Sequence, residues 1–451
     1  MSSESRELLD RLEAAHEDSL GFSGDPVAAI DEVLAGHPDF VMGHCLKAGL
    51  LTQAMETRVY DDMLASVVAA EALEAKANDR ERGHIAALRA WVDGDFHGAV
   101  EHWGSVLVEY PRDLLALQLV HLSDVLLGHT VDQRDCVARV LPFWDEGVPG
   151  FGYVLGFYAF GLEECRDFSR AEELGRRAVA INPKDAYAIH AVAHVMEMQG
   201  RHAGGIWWMT SREDDWAHGH FANHLWWHLS LYYLDLGQID RVLNIYDREL
   251  RSTDATGDRY QELDATALLW RLKLLDIDVG DRWTELADKW ESTVTDTLYA
   301  FNDVHAMMTF VADGRAAAAQ AVVNATERYV DQVNDANAAM TRIIGLPFCR
   351  ALQAFAKGDY GDAVDQLLPI RYRTYRLGGS HAQRDIIAWT LLEAALRAGR
   401  YKLARALANE RTALKPTNPQ NWKLVARALE SLGDDEGAQK ARDRAASLLS
   451  H

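Results

Sequence analysis

The chain has 451 residues, of which 48 % are hydrophobic and 25 % charged, a composition that excludes a disordered protein. Its formal net charge of −22 gives an acidic surface that repels phosphate backbones and argues against nucleic-acid binding. No secretory signal opens the sequence and no run of about 18 apolar residues occurs, so neither export nor a membrane span is expected.

Read in chain order, the first 80 residues are only loosely periodic. At Gly94-Asp95-Phe96 a pattern begins: a helix, a Gly-Asp-aromatic turn, then a second helix carrying Ala99, Trp103 and Val106 and ending at Pro111. Arg166-Asp167-Phe168 repeats it with Ala171, Ala178 and Pro183. Gly200, Gly237 and Gly314 mark weaker copies, with an irregular stretch between Leu263 and Trp290. Gly358-Asp359-Tyr360 and Gly399-Arg400-Tyr401 restore the pattern, and a last copy carries Trp422, Ala426, Leu429, Gly433, Ala438 and Ala445. Each part has a mechanical reason. The glycine takes the left-handed conformation that ends the first helix. The aromatic fills the crevice between the two helices, the alanines let them approach, and the proline stops the second helix.

This spacing and residue set resemble the tetratricopeptide repeat, whose period is about 34 residues. The sequence thus predicts an all-α superhelical solenoid of helix-turn-helix repeats, with roughly nine pairs in one continuous domain. Within it, residues 1–80 are divergent repeats, 81–415 the central array and 416–451 a capping repeat. Cys45, Cys136, Cys165 and Cys349 form no CxxC pair and read as reduced thiols of a cytoplasmic protein.

The middle of the chain is more distinctive. It runs His190-Ala191-Val192-Ala193-His194-Val195-Met196-Glu197-Met198-Gln199-Gly200-Arg201, then Phe221-Ala222-Asn223-His224-Leu225-Trp226-Trp227-His228. With Asn302-Asp303-Val304-His305 and Gly379-Ser380-His381-Ala382-Gln383-Arg384-Asp385, these stretches resemble the tetratricopeptide repeat protein 38 family over most of the chain. The resemblance implies a soluble, all-helical repeat protein and no particular activity.

In such repeats the first helix of each pair lines the concave surface. Its inward residues recur at about 13, 10, 6 and 3 positions before the turn. Before Gly200 that stripe is Tyr187, His190, His194 and Glu197; before Gly237 it holds His224, Trp227, Leu231 and Leu234, with His228 on its flank. Before Arg166 it contains Phe160 and Glu163, and farther on Phe301 points inward with His305 beside it. Asn223 adjoins His224, and His381 and Arg384 reach this region if the superhelix closes. The predicted groove is therefore lined by His, Glu and aromatic side chains.

Three uses of this cluster stand side by side. The histidines can be a structural hydrogen-bonded network. They can be the polar groups of a pocket walled by Phe160, Tyr187 and Trp227 that takes a small polar molecule or a short peptide. Or they can do chemistry, with His190 or His194 as base, Glu197 orienting it, and His224 or Asn223 stabilising charge. His190 and His194 have the i, i+4 spacing at which two histidines share a metal, although Ala191 fills the glutamate position of HExxH. No cofactor is required by the sequence, and a transition metal is compatible with it. Ligand binding is the leading expectation, with an enzyme or a protein-interaction scaffold as alternatives.

Overall fold

Helices follow one another from Arg6 to Leu449 in the computed structural model, which describes residues 5–251 and 259–449; no strand occurs among the described residues. The outermost positions of the divergent and capping segments, residues 1–4 and 450–451, lie outside the described residues. The helices are paired as the repeat pattern requires. Asp79–Val92 is followed by Phe96–Glu109, Phe151–Glu164 by Phe168–Ile181, Ala186–Met198 by His202–Thr210, and His381–Arg397 by Tyr401–Leu414. The pairs are more numerous than the roughly nine that the sequence suggests. The loosely periodic start already forms Arg6–Leu20 with Pro26–Gly36 and Val41–Thr52 with Tyr60–Ala72. The chain is an all-α superhelix of tetratricopeptide-type repeats.

Local chemistry explains the turns. Gly94, Gly200, Gly237, Gly314, Gly358 and Gly399 all have positive φ, and Arg166 adopts the same conformation at φ 65° where its repeat lacks the glycine. The aspartate after the glycine has a role that the sequence pattern left unexplained. Asp95 and Asp359 cap the second helix, accepting from the backbone N–H of Gly98 and Asp362, two of the donors that a helix start leaves unmet. The aromatic that follows packs as expected, Phe96 stacking on Trp91 at 4.4 Å between ring centres.

The two helices of a pair bury different amounts of surface. Phe168–Ile181 buries only Ala171, Gly175, Ala178 and Val179, one stripe of an outer, amphipathic helix. Every residue of Ala186–Met198 is buried, as befits a helix enclosed on all sides. An open concave groove would leave one face of that helix wet. Here the superhelix closes on itself instead. The Gly379 N–H donates to the Val125 carbonyl at 2.9 Å and Tyr299 Oη to the Leu126 carbonyl at 2.8 Å. Lys415 Nζ reaches Glu197 at 2.9 Å, and Thr417 Oγ1 donates to the Gln199 carbonyl at 2.6 Å. At the other end Tyr260 Oη donates to the Gln53 carbonyl and Asn302 Nδ2 to the Met55 carbonyl. No helix among the described residues is long and apolar enough to cross a membrane.

Candidate functional site

Closure turns the concave face into an internal chamber of about 270 Å³. Its walls come from far-separated repeats: Phe22 and Met55, Leu122 and Leu126, Phe160 and Tyr187, Phe221 and Leu263, Tyr299 and Phe301. The N-terminal Phe22 stacks on Phe221 at 4.6 Å, and its carbonyl accepts the His220 N–H at 2.7 Å. That contact depends on the loop around the short Glu213–Trp216 helix, which carries His220 and Phe221 over the chamber. Polar residues that face these walls include His190, Asn223, His224 and Asp264 on one side and Arg259, Gln261, Asn302 and Gln383 on the other.

Asn223 is 9 % exposed, and neither its Oδ1 nor its Nδ2 has a hydrogen-bond partner among the described residues. Each such buried, unmet group costs about 1–3 kcal/mol. Asn223 stands next to His224 among the chamber-lining residues, its amide atoms themselves covered by protein.

Beside it four imidazoles converge. His190 and His194 lie one turn apart on Ala186–Met198, and His224 and His228 one turn apart on Ala222–Asp235. The Nε2 atoms of His190, His224 and His228 form a triangle with sides of 3.0, 3.2 and 3.2 Å. His194 offers a fourth nitrogen, the four ligand atoms lying within 4.8 Å of one another. Carboxylates hold the far side of three of these rings. Asp264 Oδ2 is 2.9 Å from His224 Nδ1, Glu197 Oε2 is 3.1 Å from His228 Nδ1, and Glu163 Oε2 is 3.4 Å from His194 Nδ1. A carboxylate only accepts, so Nδ1 of His224 and of His228 carries the proton and each Nε2 presents a lone pair.

Burial works against charge on two of these imidazoles, and neighbouring charges favour it on two of the carboxylates. Burial, reinforced by the neighbouring histidines, holds His190 well below an ordinary histidine. Burial and His194 do the same to His228, against its bond to Glu197. Burial raises the Glu197 carboxyl, but the Lys415 charge and the His228 hydrogen bond outweigh it and carry the group well below the carboxylate range. Burial likewise opposes ionisation of Glu163, and the charges of His381 and His194 bring it down to about 2.

The residues expected from sequence separate into layers. Phe160, Tyr187, His190, Asn223 and His224 line the chamber. His194 and His228 sit behind that wall, fully buried at 0 and 1 % exposure. His228, on the flank of its stripe, converges with the others because a whole helical turn separates it from His224. Convergence therefore centres on His190, His224 and His228 rather than on the i, i+4 pair His190 and His194.

Glu197 supports His228 and does not face the chamber. Trp227 forms no part of the wall; it is buried behind His224 and stacks on it at 5.3 Å and 15°. His305 also departs from expectation. Its Nδ1 is satisfied by the Phe301 carbonyl of its own helix at 2.7 Å, and burial brings its pKa down to about 4. Glu163, His381 and Arg384 meet across the closure rather than in the chamber. His381 Nε2 lies 2.8 Å from Glu163, its N–H donates to Glu164, and Arg384 Nη2 donates to Glu164 at 3.2 Å. Glu163 and Glu164 hold His381 above an ordinary histidine although burial pulls it down.

Asp264 is the polar residue that sequence reasoning missed. It lies 40 positions from His224, on a helix whose repeat pattern is irregular, and no local spacing links the two.

No family model matches the sequence. Among solved structures the chain is similar to the human IFIT1 dimer with m7Gppp-AAAA, at 15 % identity over 91 % of each chain and a TM-score of 0.43. It is also similar to a monomeric IFIT1 mutant with Gppp-AAAA, at 14 % identity over 98 % of this chain and 100 % of that one, TM-score 0.40. Likeness to Naa15/Naa10 bound to HypK-THB is weaker, at 11 % identity and a TM-score of 0.26. Similarity at this level transfers no ligand and no site residue to this chain.

Proposed function

We propose that the protein binds a small, uncharged, largely apolar molecule inside the closed superhelix, with the polar end of that molecule against Asn223, His190 and His224. The observation that carries this reading is the Asn223 amide, buried and unmet on both atoms in a largely apolar chamber. Buried polar groups are normally satisfied, and a ligand offering one donor and one acceptor would complete this one. The chamber is near the lower end of ligand-site volumes, about 300–1,000 Å³, and suits a small molecule better than a peptide or a polynucleotide. Arg259 is the one Lys or Arg among the described chamber-lining residues, and Glu262 already pairs with it, so no free cation there favours an anion.

The test is Asn223→Leu, which puts methyl groups in place of the two unmet polar atoms. The ligand-free variant should be as stable as the parent or more so by about 1–2 kcal/mol. It should also lose the thermal stabilisation that a panel of small neutral amides, alcohols and ketones gives the parent. A panel that shifts neither protein, or both equally, counts against the reading.

A second reading, an enzyme using the same chamber, is favoured by the Asp264–His224 and Glu197–His228 pairs, which fix each imidazole with its Nε2 lone pair pointing inward. The stretches that resemble the tetratricopeptide repeat protein 38 family, His190–Arg201 and Phe221–His228, build this chamber wall and the imidazoles behind it. On that ground we also assign the chain to that family. A cytoplasmic setting is proposed from the free Cys45, Cys136 and Cys349, all buried as thiols.

A further inference from the structure

We propose that His190, His224 and His228 form a transition-metal centre, with His194 as a fourth nitrogen within reach. What an ion would do for a bound molecule rests on the chamber reading above; the presence of the ion does not.

The argument starts from protons. In the neutral rings the Nε2 atoms of His224 and His228 both carry lone pairs, because each Nδ1–H donates to Asp264 or Glu197, yet they lie 3.2 Å apart. Two acceptors at that distance repel. The third nitrogen of the triangle, His190 Nε2, has at most one proton to share between them. If it carries that proton, His190 Nδ1 is left as a buried acceptor, and Nδ1 has no partner. Among the described residues His194 Nε2 has no hydrogen bond, and its Nδ1 has only the Glu163 carboxylate, at 3.4 Å. A cation at the point where the lone pairs meet satisfies all three nitrogens at once.

The dimensions fit one. A triangle of these sides has its centre about 1.8 Å from each nitrogen, so an ion at the usual 2.0–2.1 Å from imidazole nitrogen sits about 1 Å out of its plane. The N–metal–N angles are then about 95–105°, a facial arrangement that leaves other coordination positions open. All-imidazole ligation suits iron, zinc, copper or nickel rather than magnesium or calcium. The outer layer is also that of a metal site. Carboxylates on the far nitrogen fix the tautomer and make the ligating nitrogen more basic, and Asp264 and Glu197 also supply negative charge near a divalent ion.

The adjoining cluster of Glu163, Glu164, His194 and His381, whose ligand atoms are as close together, provides the contrast. There each carboxylate has a donor from the His381 ring, the His381 N–H or Arg384. Among the described residues the three imidazole nitrogens of the triangle have only one another. Because His190 and His224 are themselves chamber wall, open positions on the ion border the chamber. There the ion would polarise a carbonyl or hydroxyl oxygen of the bound molecule.

The test uses the full chain without a histidine tag. Metal content is measured after purification without chelators. The protein is then stripped with EDTA and titrated with Co²⁺, Zn²⁺ and, without oxygen, Fe²⁺. We expect one equivalent of ion per chain, visible cobalt bands on titration, and at least a 100-fold loss of affinity in His190→Gln and in His228→Gln. His305→Gln and Asn223→Leu should keep the full equivalent. Should the ligand variants not fold, as judged by circular dichroism, the cobalt spectrum of the parent decides alone, since three imidazole nitrogens give it a signature that surface binding does not. A folded, stripped parent that takes up none of the three ions overturns the proposal, as does undiminished binding by the two ligand variants. Neither result touches the chamber reading, which is tested by thermal shift with organic molecules. Loss of that shift in Asn223→Leu with the ion retained separates the two.

Discussion

Asp264 and Glu197 act through the histidines they hold. Asp264→Asn keeps an acceptor near His224 Nδ1 but removes the charge, so the ring should keep its place while its Nε2 becomes a weaker ligand. The expected outcome is a 10–100-fold fall in Co²⁺ affinity in a competition titration, with helicity unchanged; equal affinity would show that the carboxylate only positions the ring. His121 gives a pH dependence. It is fully buried, with Nε2 3.0 Å from Tyr187 Oη, and burial brings its pKa down to about 3 despite the Gln133 carbonyl near Nδ1. The unfolded chain takes up this proton near pH 6.5, while the folded protein resists it until about pH 3. The resulting stability is therefore complete above pH 6.5 and is lost as the pH falls through that window, at about 1.4 kcal/mol per pH unit for this one group. His121→Gln should make the urea midpoint fall less steeply between pH 6.5 and 4; parallel curves for the two proteins would contradict this.

At the scale of the helix pair, the repeat tolerates a wrong residue at its turn at a measurable cost. Arg166 is exposed and takes φ 65°, a conformation that costs a residue with a side chain about 1 kcal/mol. Arg166→Gly should raise stability by about that amount in urea denaturation, and a destabilised variant would show that the arginine makes contacts of its own. The turn glycines and the aromatics behind them are legible in the sequence because every copy solves the same local problem. Gly205, in the outer helix His202–Thr210, faces the Tyr232 ring so closely that a Cβ there would collide with it. The inner helices are less transparent. The 13, 10, 6, 3 register puts His190 and His224 on the face that lines the chamber, yet it also treats His194 and Trp227 as wall and His228 as marginal. A register gives the direction of a side chain from its own helix and says nothing about what the next repeat places in front of it.

Across the whole molecule, closure decides what the concave face is. Arg384 and Glu164 are buried at the join, at 9 and 2 % side-chain exposure. Arg384→Met would leave Glu164 with only the His381 contacts, and removing one partner of a buried ion pair costs about 3–5 kcal/mol. The expected result is a lower urea midpoint and, by small-angle scattering, a larger radius of gyration as the ends separate. A weakened protein of unchanged radius would mean that Gly379–Val125 and Lys415–Glu197 hold the ring without this pair. The sequence by itself determined the repeat, its turns, the all-helical class and the identity of the central histidines, because these follow from interactions within about 34 residues. It did not determine that Phe22 and Met55 cover the chamber, that Asp264 stands behind His224, or that three Nε2 atoms meet within 3.2 Å. Those depend on the small rotation between successive repeats. Summed over the superhelix, that rotation brings residues tens to hundreds of positions apart into contact, and only the tertiary structure fixes the sum.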